Sequence, residues 1–190
     1  MERLQQTVTP AQHEALATLP YHRTVEVAGY RIAILHGDPE SLAGWGLAVD
    51  AEAITDPGMG TLSDWFRRSR ADIFACTHTC LPHALRLEVD GHPRAVINNG
   101  SAGLPNFAGD LRGLITRIAT EPSSHALYRV ELPELVIEAL PMPIDTTRWL
   151  HTFLEVWPPA SPARLSYLRR LSQGPDHHPV DAVGRGVTPA

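Results

Sequence analysis

A chain of 190 residues that is 43% hydrophobic and 19% charged can bury the core of one soluble domain, which excludes bulk disorder. Its net charge of -5 comes without any run of Lys or Arg, which argues against a nucleic-acid polymer as partner. No apolar stretch approaches the roughly 20 residues of a membrane span.

The start, Glu2-Arg3-Leu4-Gln5-Gln6, is polar and lacks the apolar centre of a signal peptide. Two cysteines, Cys76 and Cys80, are too few for a disulfide framework, so the expected location is the cytoplasm. Thr9-Pro10-Ala11-Gln12 predicts a helix start with a capping hydroxyl, proline in the first turn and a glutamine to reach back; Pro20 ends it. Thr24 to Ala28 and Tyr30 to Leu35 predict two strands turning at Gly29, the second delivering His36-Gly37-Asp38-Pro39. A long, glycine-containing loop is expected from Ser41 to Gly60, followed by a helix over Leu62 to Arg70.

Ala71 to Ala75 is a short apolar strand that leads into Cys76-Thr77-His78-Thr79-Cys80-Leu81-Pro82. Leu85 to Val89 alternates as a half-buried strand does, and Gly91-His92-Pro93 turns the chain into Arg94 to Ile97. After the turn-rich Asn98-Asn99-Gly100-Ser101 come strands at Leu114 to Ile118, Ala126 to Leu132 and Leu135 to Leu140, the last two a hairpin around Pro133-Glu134. Asp145 caps a helix bearing Trp149, Phe153 and Trp157, and Ser161-Pro162 starts another with Leu165, Leu168 and Leu171, all read as packing faces. The tail, Gly174 to Ala190, has no apolar period and is expected to be mobile. Central strands between terminal helices favour an α/β sandwich.

His36, directly after a strand, would project into a crevice, though a lone histidine there is a weak sign of ligation. Cys76, His78 and Cys80 place three metal-capable donors in five residues; the plain alternative is two buried thiols and one satisfied imidazole. A structural zinc knuckle would need a second paired cluster, and a redox pair would need the shorter C-x-x-C spacing.

The order of these pieces resembles the second half of the calcineurin-like metallophosphoesterases. There a strand ends in His-Gly, a second carries Gly-His-Thr-His-x-Pro, and a third carries Asn-Pro-Gly-Ser. His78, Thr79 and Pro82 match the second pattern, with Thr77 in place of glycine, and Asn98, Gly100 and Ser101 match the third, with Asn99 in place of proline. The resemblance implies part of an α/β/β/α sandwich of two packed mixed sheets, with 1–143 as the C-terminal portion of the domain, 144–173 a helical extension and 174–190 the tail. It also implies that His36 and His78 bind one divalent metal and Cys80, where the family has histidine, another. A thiolate there favours zinc or iron over manganese. Gly37, Asp38, Thr79, Asn98, Asn99, Gly100 and Ser101 would shape the site loops.

The implied activity is hydrolysis of a small phosphomonoester or phosphodiester by metal-bound hydroxide between two ions. The family's first-half Asp-x-His, bridging Asp and Asn-His are absent in context, so the fold is expected to be incomplete, with little or no hydrolysis by this chain alone. An N-terminal segment, a second copy or another chain would complete it. A non-catalytic binding module is the alternative, and a mononuclear zinc or iron protein built on His36, His78 and Cys80 a third reading.

Overall fold

The computed structural model describes residues 8–56 and 60–190; the polar start and the end of the Ser41 to Gly60 loop lie outside the described residues. Helix α1 (Pro10–Ala17) begins as its sequence dictates. Gln12 N–H donates to the Thr9 hydroxyl and the Thr9 N–H to the Gln12 side chain, satisfying donors that the first turn leaves open. Strands β1 (His22–Val27) and β2 (Tyr30–Leu35) form an antiparallel hairpin. Ala28 (φ 49°) and Gly29 (φ 79°) supply the two left-handed residues such a turn requires.

The chain then crosses through α2 (Glu52–Thr55) and α3 (Thr61–Ser69) to β3 (Ile73–Cys76), which pairs parallel to β2. Strands β4 (His83–Val89) and β5 (His92–Asn98) form a hairpin, and β5 lies parallel to β3. The first sheet therefore has the order β1-β2-β3-β5-β4 and is mixed. The second is antiparallel throughout, built from β6 (Gly113–Ala119), β7 (Tyr128–Leu132), β8 (Leu135–Met142) and β9 (Val187–Pro189) in the order β6-β8-β7-β9.

Strand alternation sends one set of side chains to each face, which produces two cores. Between the sheets Ile32, Ile73 and Ile97 meet Leu114, Tyr128 and Ile137. On the outer face of the first sheet Ala33, Phe74 and Val96 pack under Leu62, Trp65 and Phe66 of α3, with Phe66 and Phe74 stacked at 4.3 Å. Full burial of side chains of this size contributes about 1.5–3 kcal/mol each.

Helices α4 (Thr146–Val156) and α5 (Pro162–Gln173) are capped by Asp145 and Ser161 and pack on each other. Phe153 and Leu171 are buried, whereas Leu165 stays 73% exposed and is no packing residue in this chain. The segment beyond α5 corrects the expectation of a mobile tail. A 3-10 turn (Pro179–Ala182) buries Ala182 completely, His177 is also buried, and β9 adds to β7.

Near β6 the two sheets part. An open groove of about 480 Å³ runs between Val25, Val27, Ile32 and Ile34 on one side and Ile115 and Ile118 on the other. Val25 and Ile34 are 43% and 44% exposed there, and no strand among the described residues pairs with the outer edge of β6. No helix among the described residues is long and apolar enough to cross a membrane.

Candidate metal centre

The parallel register of β2, β3 and β5 decides the site. Ile34 faces Ala75 and Cys76 faces Asn98, so the three carboxyl ends finish side by side, the place where open α/β sheets form a crevice. Just beyond those ends stand His36, the turn Thr77 to Cys80, and Asn99 to Ser101. Backbone bonds hold them together: Thr77 N–H donates to the His36 carbonyl at 3.2 Å and Asn99 N–H to the Cys76 carbonyl at 3.2 Å.

This brings His36 and His78 into contact, with Nε2 of His36 3.0 Å from Nδ1 of His78 and the rings edge-to-face at 4.8 Å. One nitrogen of the pair donates its proton to the other. Two imidazoles on one tetrahedral zinc ion, each about 2.0–2.1 Å from it, have nitrogens roughly 3.3 Å apart, so the hydrogen-bonded pair would have to open slightly to share a cation. His78 adopts a left-handed backbone (φ 35°), as does Cys80 (φ 58°), an arrangement that costs a non-glycine residue about 1–3 kcal/mol.

The surroundings hold that turn. Asn98, fully buried, donates through Nδ2 to the Thr77 carbonyl and the Thr79 hydroxyl, both at 2.9 Å, and its Oδ1 accepts from Gly100 N–H. The Thr77 hydroxyl donates to the Gly100 carbonyl. Gly100 has φ 63° and no room for a side chain, since a Cβ would lie 2.2 Å from Asn106 Oδ1. Asn99 bonds across to Leu114 of β6 and Ser101 is clasped by the buried Asn106. Asp38 turns inward: its carboxylate accepts from the N–H groups of Glu40, Ser41 and Gly46, which folds the following loop against Gly37.

The Cys80 thiol donates to the His78 carbonyl at 3.3 Å and does not join the two imidazoles. Among the described residues no group of three His, Cys, Asp or Glu side chains is arranged to hold a metal ion. Of the three expected donors, His36 and His78 are therefore brought into contact and Cys80 is not. Cys76 is buried in the α3 core, and that burial pushes its thiol pKa up to about 12, so it is an inert apolar side chain.

Three participants carry no local sequence signal. Arg170 of α5 donates through Nη2 to the carbonyls of Cys80 (2.6 Å) and Pro105 (3.0 Å), and its guanidinium is held there against a burial that lowers its pKa. His177 Nε2 donates to the Pro82 carbonyl at 2.8 Å. The Trp45 and His78 rings meet edge-to-face with centres 5.4 Å apart. Each contact joins segments that only the folded chain brings together.

Comparison with solved structures settles the architecture. A metallophosphoesterase from Sphaerobacter thermophilus superposes over 92% of this chain with a TM-score of 0.58 at 16% sequence identity. The fold is calcineurin-like. A hypothetical protein from Pyrococcus horikoshii matches over 90% of the chain, with a TM-score of 0.55 and 14% identity. Zinc-complexed Vps29 from Entamoeba histolytica is a more distant likeness, with 21% identity over 65% of this chain and 62% of its own and a TM-score of 0.36. The chain spans 67% of the Sphaerobacter protein and 57% of the Pyrococcus protein. No family model and no curated protein sequence matches it.

Proposed function

We propose that this calcineurin-like chain carries part of a phosphoesterase site, in which His36 and His78 hold one divalent metal, zinc, iron or manganese, and a small phosphoester docks against it. The observation that supports this reading is the 3.0 Å approach of two imidazole nitrogens at the ends of adjacent parallel strands. When bound, such an ion supplies Lewis-acid activation of a phosphoryl oxygen and of water. The chain's own residues supply position: Asn98 and Thr77 fix the His78 turn, and Asp38 fixes the loop after His36.

Turnover needs more donors than these two. They come, in this proposal, from a complementing segment seated in the groove between the sheets, whose lining ends at Thr77 and Asn99 beside the histidines. The larger Sphaerobacter and Pyrococcus structures contain chain beyond the matched part, which supports such a complement. In this proposal the chain by itself binds a phosphoester without turning it over; a non-catalytic binding module is the alternative reading.

The test is calorimetric titration of orthophosphate with and without zinc. Phosphate binding should require the metal and weaken tenfold or more in His36→Ala and in His78→Ala. Binding of equal strength without metal, or in both variants, would contradict the reading.

A further inference from the structure

Trp45 is 64% exposed, although it is the kind of side chain that gains most from burial. The loop that presents it is tightly built. Gly44 N–H donates to the Ser41 carbonyl, Gly46 N–H to Asp38 Oδ2 and Ala48 N–H to the Trp45 carbonyl, at 3.0–3.1 Å. The glycines on both sides are required: a Cβ on Gly44 would sit 1.9 Å from Asp38 Oδ2, and one on Gly46 2.4 Å from the Trp65 ring. The backbone of this loop therefore places the indole beside His78, with ring centres 5.4 Å apart at 70°.

From this arrangement we infer that Trp45 is a specificity-determining residue that stacks on a planar aromatic group of the phosphoester. Most of the indole surface is exposed beside His78, which leaves area for a further stacking partner, and in the proposed site His78 is where the phosphoryl group would be held. The substrate class it selects is a nucleotide or another aryl-bearing phosphoester, because a nucleobase has a π-face and a sugar phosphate or polyol phosphate has none. This deepens the proposed phosphoesterase reading and rests on it.

The experiment is an NMR titration of the zinc-loaded chain with AMP and, separately, with ribose 5-phosphate. The Trp45 indole N–H signal is assigned by its loss in Trp45→Phe. AMP should move that signal together with the His78 ring signals and bind at least tenfold tighter than ribose 5-phosphate. Trp45→Ala, its dispersed spectrum showing an intact fold, should reduce the preference to within twofold. Equal affinities in the wild-type chain, or a preference that survives in Trp45→Ala, would overturn the role of Trp45 and leave the phosphoester reading standing. Failure of both ligands to bind would overturn the two together.

Discussion

His83 sits at the start of β4, 2% exposed, with neither ring nitrogen in a hydrogen bond of good geometry. Burial is the main reason its pKa falls to about 4; neighbouring His177 pushes the same way, while the Leu81 carbonyl and Asp50 oppose the shift. In the unfolded chain the imidazole titrates near 6.5, so from there down to 4 the unfolded state takes up a proton that the folded state refuses. The contribution is fully present above pH 6.5 and is lost as the pH falls, by about 3 kcal/mol at pH 4. Urea melts of wild type and His83→Leu should differ in pH slope over that window, the variant being flatter. Parallel slopes would show that His83 is protonated in the folded chain.

At the same scale, His36 and His78 are legible as site candidates because a residue just past a parallel strand has one place to go. Trp45 and Arg170 are not legible: Arg170 reaches Cys80 across 90 residues, a contact no periodicity encodes.

Among the elements, the second sheet contains a charge cluster that its apolar strands do not announce. Glu138 of β8 is fully buried between Arg117 of β6 and Arg129 of β7, and it also accepts from Ser123 N–H. Removing one cation leaves a carboxylate in a dry setting with half its compensation. Arg117→Met should therefore cost about 3 kcal/mol in denaturant unfolding, and Glu138→Gln, which deletes the buried charge itself, should cost less. Equal, near-zero losses would mean that the cluster is solvated.

Hairpins were readable from their turns: Ala28 and Gly29 both take positive φ, whereas at Pro133-Glu134 the proline fixes the first position and only Glu134 (φ 62°) is left-handed. Strand β9 was not readable. Val187–Pro189 is too short for a period, exposes two of its three residues, and takes its conformation from β7. The site also depends on this unforeseen region, since Arg170 and His177 pin the loop from Cys80 to Pro82 from the far end of the chain.

For the whole molecule, the sequence motifs foretold the fold because their order follows the order of the parallel strand ends, and the superposition with the larger structures agrees with it. They did not foretell that Cys80 would turn its thiol back on the His78 carbonyl, because side-chain direction there depends on a left-handed backbone set by neighbours. The open groove reaches Thr77 and Asn99, beside the contact between His36 and His78.

The measurement that bears most directly on this account is calorimetric titration of zinc into the metal-free chain and into His36→Ala and His78→Ala. One ion per chain is expected, with affinity lost in either variant by roughly tenfold or more, since even outer partners of a ligand cost that much. No zinc binding by the wild-type chain, or binding untouched by both substitutions, would contradict the claim that these histidines form a metal site.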